Sequence, residues 1–277
     1  MAPFGEGTVL LEARGPVAVI TLNRPARLNA FNVQMIRDLT AAVAAVASDA
    51  NVKALVITGS GRGFSAGADL APEIVETDPK FGSVGAAVNF NMHSRWNPMM
   101  EAIYELRKPV VVAINGIAAG GGIGLALAGD VIVASPQASF VFTFASKLGI
   151  IPDLGATFHM PRSVSRGVAL PLALLGDKFS ADDAKRMGLI WDVHEEVLGE
   201  AMVIASRLAK VSPEAVYQTR KAFDASHANS YASQLQVERK AQEICFDSPD
   251  SPYMKLIRSG TYAARKKKTK EGPRAKL

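Results

Sequence analysis

From Val110 to Gly129 the chain runs through twenty residues without a charge. That is about the length of a membrane span. Its interior argues for something else. A Val-Val-Val-Ala-Ile run ends at Asn115-Gly116, and Gly120, Gly121, Gly122 and Gly124 follow in a cluster, with Gly129 at the end. Glycine frees the backbone for sharp turns and close approach. The stretch therefore predicts a buried strand, a tight turn and a buried helix. A segment of this kind needs protein on all sides, which calls for a layered fold with a substantial core.

The rest of the first two thirds supplies those layers. Thr8 to Ala13 and Val17 to Asn23 read as strands joined at Gly15-Pro16, and 53–58 reads as a buried strand. Asn32 to Ala47 has Ile36, Leu39, Val43 and Val46 at helical spacing. Further strands are predicted at 110–115, 131–134 and 140–142. Further helices are predicted at 99–106, 121–128, 166–175 and 181–187. Residues 59–69 read as a Gly-rich loop, and 77–97, rich in Gly and Asn, as a mobile connection that could cover a site. After about Glu195 only helical patterns remain. The fold class is α/β with parallel pairing. The division expected is a core over 1–195 and a C-terminal helical region with a basic tail over 196–277. A strand–strand–helix recurrence is visible only faintly.

Charge narrows the partners. The chain has 277 residues, is 48% hydrophobic and carries a formal charge of +5. Seven Lys/Arg and one Glu fall between Arg265 and Leu277, so the remainder is close to neutral. Basicity confined to a tail argues against a nucleic-acid partner. Cys245 is the single cysteine, so no disulfide forms within the chain, and a reducing, cytoplasmic setting fits. His93, His159, His194 and His227 lack metal-ligand spacing. No metal is expected, the N-terminal residues do not read as a signal peptide, and no membrane association is expected.

Two Gly-rich segments, Gly59 to Leu70 and Asn115 to Gly124, could each aim backbone N–H groups at a ligand oxygen. Neither fits a common motif. Leu125 stands where a dinucleotide fingerprint needs its third glycine. Gly63-Phe-Ser65-Ala-Gly67 has the spacing of a nucleophile elbow, but the preceding strand ends too early and Pro72 interrupts the helix that should follow. Asp153 stands alone among Ile150, Ile151, Pro152 and Leu154. A single carboxylate in apolar surroundings is costly to ionise, and those neighbours are expected to raise its pKa. It is also read, less specifically, as a turn or helix-cap aspartate.

At this point the sequence resembles the crotonase, or enoyl-CoA hydratase/isomerase, superfamily. The matching runs are Leu22 to Ala30 (LNRPARLNA), Phe64 to Leu70 (FSAGADL), Lys108 to Gly116 (KPVVVAING), Ala119 to Gly122 (AGGG) and Gly149 to Asp153 (GIIPD). The resemblance implies a spiral of strand–strand–helix turns with a C-terminal helical trimerisation region, assembled as a homotrimer or a dimer of trimers. It implies an acyl-CoA thioester as substrate, with coenzyme A entering only as part of it and no other cofactor. It places oxyanion donors at the backbone N–H groups of Ala66 and Gly121. It places CoA contacts at Ala26, Arg27 and Leu28, adenine contacts at Ala68, Asp69 and Leu70, and tail contacts at Tyr262 and Arg265.

The departures choose among reactions. Hydratases of this family use two glutamates, and the corresponding positions here are Gly124 and Ala145. Asp153 falls where isomerase members carry their acid, in a setting similar to 3-enoyl-CoA and ring-opened phenylacetyl-CoA isomerases. The expectation is therefore an isomerase that shifts a 3-enoyl double bond to the 2-position, Asp153 shuttling the proton. The alternatives are a hydratase or other thioester chemistry, and a CoA-binding protein without turnover.

Overall fold

The computed structural model describes residues 2–69 and 81–259. Leu70, Tyr262 and Arg265 lie outside them. The chain divides into two compact units, one up to Ala209 and one from Lys210.

Among the described residues, eleven strands form two sheets in the first unit. They are β1 (Ala2–Phe4), β2 (Val9–Arg14), β3 (Val17–Leu22), β4 (Ala54–Gly59), β5 (Gly63–Ser65), β6 (Val110–Ile114), β7 (Ile117–Ala119), β8 (Val131–Ala134), β9 (Ser139–Val141), β10 (Phe179–Ser180) and β11 (Asp192–Val193). The larger sheet has the order β1-β2-β3-β4-β6-β8-β11, and the smaller β10-β9-β7-β5. From β3 to β11 the larger sheet is parallel. Each turn leaves a strand of the larger sheet, adds a short strand to the smaller one and returns through helix: β4 then β5, β6 then β7, β8 then β9. This is a strand–strand–helix spiral. The short second strands, three residues each in β5, β7 and β9, are why the recurrence is faint in the sequence. Three residues carry too little period-2 pattern to register.

Alternation within the strands explains their unbroken hydrophobicity. Ala18, Ile20, Leu22, Leu55, Ile57, Val110 and Val112 enter the main core with the helix Val33–Ser48. The intervening Val17, Val19, Val56, Val111 and Val133 form a second core with Val197, Ala201, Ile204 and Ala205. A parallel sheet covered on both faces reads as a continuous apolar run. The helix Val197–Leu208 is therefore the outer layer of the first unit, so the boundary falls at 209/210 and not at 195/196. The second unit contains the helices Pro213–Ser226, Tyr231–Asp247 and Pro252–Arg258.

The uncharged stretch resolves into β6, β7 and the helix Gly121–Leu127. No described helix is long and apolar enough to cross a membrane. Two expectations are corrected. The Gly-rich segment 59–69 contains β5. The described part of 77–97 is largely helical, with Val84–Asn91 followed by one π-helical turn at Met92–Trp96. Ser83 caps that first helix by accepting the N–H of Ala86 at 3.1 Å, and Ala87 and Asn91 bury one face. Capping and burial outweigh the weak propensities of Gly and Asn.

Candidate active site

Asn29 organises the loop between β3 and the helix Val33–Ser48. Its fully buried amide donates to the carbonyls of Ser60 (2.9 Å) and Gly63 (2.8 Å) and accepts the N–H of Arg24 (2.8 Å). Leu28 and Asn29 both take positive φ, 49° and 55°. Asparagine tolerates that region better than most residues. Arg24 pairs with Asp69 at 2.9 Å, and Asn115 donates to Gly61 at 2.9 Å and Gly63 at 3.2 Å. These polar ties bind the 22–30 and 59–69 segments into one wall. The organising roles of Asn29, Arg24 and Asn115 were missed by sequence reasoning, although all three lie inside the recognised motifs.

Asn29 also explains why the nucleophile-elbow spacing is incidental. Ser65 is fully buried, and its Oγ donates to the Asn29 carbonyl at 2.9 Å while accepting the Gly67 N–H at 3.2 Å. It has no path to a substrate.

Beside this wall lies a cavity of about 200 Å³, lined by Ala66, Ala68, Gly120, Gly121, Thr143 and Asp153. Its remaining lining is Asn91 and the apolar side chains of Val88, Met92, Trp96, Phe144, Leu148 and Ile150. The structure thus brings Ala66, Gly121 and Asp153 together, with Ala68, expected as an adenine contact, in the same lining. Ala26, Arg27, Leu28 and Asp69 do not line this cavity. Ala26 and Arg27 are exposed on a single helical turn, and Asp69 is held by Arg24.

The turn geometry of the Gly-rich wall decides which N–H groups face the cavity. Phe31 and Ala68 form a parallel bridge, in which the N–H of Asp69 donates to Phe31 at 2.8 Å. The N–H of Ala66 donates to the Leu28 carbonyl at 2.9 Å. Ala66 is therefore not an open oxyanion donor, which corrects the sequence expectation. Successive peptides of extended backbone point to opposite sides, so the N–H of Ala68 faces away from the 28–31 segment. Among the described residues it has no acceptor. Gly121 opens the helix Gly121–Leu127, where the first N–H groups lack helical partners. A Cβ on Gly67 would come within 3.0 Å of the Gly121 nitrogen, which sets the two donor segments against each other. Motif spacing located the loop. It could not tell which of two alanines two residues apart turns its N–H outward.

Asp153 sits across from these donors. A Cβ on Gly121 would stand 4.0 Å from its Oδ1. Burial pushes its carboxyl up to about 6, against a smaller opposing pull from its own backbone N–H. Ile151 contributes little to that burial, since it is 78% exposed. Leu154, 3% exposed, is the neighbour that packs inward. Asp153 does not cap the following helix Ala156–Ser163, whose N-cap is Gly155 without a side-chain bond. Instead Leu154 (φ 50°) and Gly155 (φ 79°) turn the backbone through the left-handed region twice. That double turn carries Leu154 over Gly124. A Cβ on Gly124 would lie 2.7 Å from the Leu154 Cβ and 2.8 Å from its carbonyl oxygen. The position where hydratases of the resembled family carry an acid is filled here by the Asp153–Leu154 turn.

Other candidates stand apart. His194 pairs with Asp192 at 3.3 Å, and His159 packs against Phe158 and Tyr104. Among the described residues no cluster of His, Cys, Asp and Glu could hold a metal ion.

Comparison with known proteins agrees with this architecture. The family model described as Enoyl-CoA hydratase/isomerase matches residues 12–268. The chain is 38% identical over 244 residues to 1,2-epoxyphenylacetyl-CoA isomerase of Escherichia coli K12, covering 87% of this chain and 91% of that protein. It is 37% identical over 245 residues to a probable enoyl-CoA hydratase of Rhodobacter capsulatus, covering 88% and 91%. Among solved structures, an enoyl-CoA hydratase from Bacillus anthracis superposes with a TM-score of 0.79 at 30% identity, covering 91% of this chain and 96% of that one. The chain belongs to the enoyl-CoA hydratase/isomerase family and has its crotonase fold.

Proposed function

We propose that the protein isomerises an unsaturated acyl-CoA, moving a double bond from the 3- to the 2-position. One observation carries this reading: Asp153 is the only titratable side chain among the described residues lining the cavity. The ionised carboxylate takes a proton from C2. The C3–C4 double bond becomes C2–C3 as negative charge moves to the thioester oxygen and back, and the same carboxyl delivers the proton to C4. Protons alone move, and one acid–base group suffices. The N–H groups of Ala68 and Gly121 hold the thioester oxygen as it gains charge. One such donor typically contributes about 3–4 kcal/mol to the transition state. Hydration needs a positioned water as well as a proton donor, and the turn over Gly124 leaves no room for a second acid there.

Relatives named as an isomerase and as hydratases resemble this chain almost equally, so the reaction needs its own test. The protein is given a 3-enoyl-CoA and, separately, a 2-enoyl-CoA, while the conjugated thioester absorbance is followed. Absorbance gained from the first, and lowered at least about a hundredfold in rate by Asp153→Asn, is the expected result. Full activity in that variant would overturn the role of Asp153. Hydration of the 2-enoyl substrate without isomerisation would favour the hydratase reading, and binding without turnover a CoA-binding protein.

A further inference from the structure

The cavity is built where the smaller sheet ends. β5, β7 and β9 are parallel neighbours, and the chain leaves them at Ser65, Ala119 and Val141. The residues that follow each strand supply lining: Ala66 and Ala68, Gly120 and Gly121, Thr143 and Phe144. Ligands of parallel α/β sheets bind beyond the carboxyl ends of the strands. The first two exits offer backbone donors, the N–H groups of Ala68 and Gly121. The third offers a hydroxyl. Ala119 and Val141 are register partners, and Gly121 and Thr143 each stand two residues beyond them.

The Thr143 hydroxyl stands beside the backbone donors and is idle. A Cβ on Gly120 would lie 3.1 Å from its Oγ1. Gly120 and Gly121 share the peptide whose N–H is the second donor, so hydroxyl and N–H border the same peptide unit. Thr143 caps no helix, and among the described residues its hydroxyl has no hydrogen-bond partner. The Asp153 carboxylate takes no hydrogen bond from it. The residue is half-buried, and its oxygen is open to the cavity rather than sealed. Water serves that hydroxyl until a substrate displaces it. A donor then left without an acceptor costs free energy. Valine has the same β-branched shape and would line the cavity without that cost. The part of an acyl thioester held by Ala68 and Gly121 carries one oxygen, the carbonyl.

We propose that Thr143 is a further catalytic residue, a third donor whose O–H joins the N–H groups of Ala68 and Gly121 on the thioester oxygen as that oxygen gains negative charge. The inference rests on reading this cavity as the thioester site, but not on which reaction follows there.

The test reads the carbonyl itself. Infrared difference spectra are recorded for butanoyl-CoA, isotope-labelled at the thioester carbonyl, free in water and bound to the protein. This saturated thioester has no double bond to shift or hydrate. Hydrogen bonds to a carbonyl oxygen lower its stretching frequency. The band should fall on binding to the natural protein, regain part of that fall in Thr143→Val, and stay low in Thr143→Ser. In parallel, kcat for a 3-enoyl-CoA should fall about tenfold to a hundredfold in Thr143→Val with little change in KM, and recover in Thr143→Ser. A band identical in the natural protein and Thr143→Val overturns the proposal even where the rate falls, since a displaced wall would slow the reaction too. If Thr143→Val does not fold, Thr143→Ala takes its place in the same comparison. Failure of a 3-enoyl-CoA to turn over would sink the isomerase reading, while the band still decides the role of Thr143. A band that does not move on binding to the natural protein, or no binding at all, would overturn the thioester site and Thr143 with it.

Discussion

At the scale of single residues, Asp153 joins reactivity to a cost in stability. Its carboxyl is pushed from 3.8 to about 6 by burial. The ionised form is the base, so kcat/KM for isomerisation should rise with unit slope up to about pH 6 and level off above it, and the profile of initial rates checks this. The same displacement acts on folding with a definite sign. Below pH 3.8 the folded and unfolded chains both hold the proton. Between 3.8 and 6 the unfolded chain releases it while the folded chain keeps it, so stability falls as pH rises through that window. Above it the folded protein bears a desolvated charge at a cost of roughly 2–3 kcal/mol. Asp153→Asn should therefore be about as stable as the natural protein at pH 3.5 and more stable by about 1–3 kcal/mol at pH 8, measured by urea unfolding. No gain at pH 8 would mean that the charge is better solvated than its burial implies. The solitary carboxylate was legible in the sequence, because an acid among Ile, Pro and Leu is conspicuous. The open N–H of Ala68 was not, because which face a peptide presents depends on its partner strand.

At the scale of elements, the helix Gly121–Leu127 shows why its glycines are spaced as they are. Gly122 packs under Ser65, where a Cβ would meet the Ser65 carbonyl oxygen at 2.5 Å, and Gly124 packs under Leu154. Gly124→Ala should force the Asp153–Leu154 turn outward. The expected loss is about 1–3 kcal/mol of stability, as for other overpacked sites. The rate should fall with it, since the turn sets the carboxylate. Thermal unfolding and kcat measured together would show it, and an alanine tolerated in both would mean that the turn yields cheaply. Long elements were readable in outline: the predicted helices 166–175 and 181–187 match the observed Arg166–Leu175 and Ala181–Met187. Those missed were short or local exceptions. β10 and β11 have two residues each, and Ala156–Ser163 holds Pro161 inside a helix, against propensity.

At the scale of the molecule, the parallel sheet is covered on both faces, and the helix Val197–Leu208 completes the second core. Ile204, 8% exposed, sits between that helix and the sheet, so Ile204→Ala should cost about 2–4 kcal/mol in denaturant unfolding. A cost below about 1 kcal/mol would show that this layer is not integral to the first unit. By itself the sequence determined the α/β class, the elements that build the core, the two Gly-rich segments and the lone acid downstream of both. Those follow from local chemistry: side-chain periodicity, the backbone freedom of glycine and the charge of each residue. Only the tertiary structure decided that Ala68 and not Ala66 offers its N–H, and that beside Asp153 it is Leu154 and not Ile151 that packs inward. Each depends on what stands opposite a group in space, and residues far apart in the chain supply that.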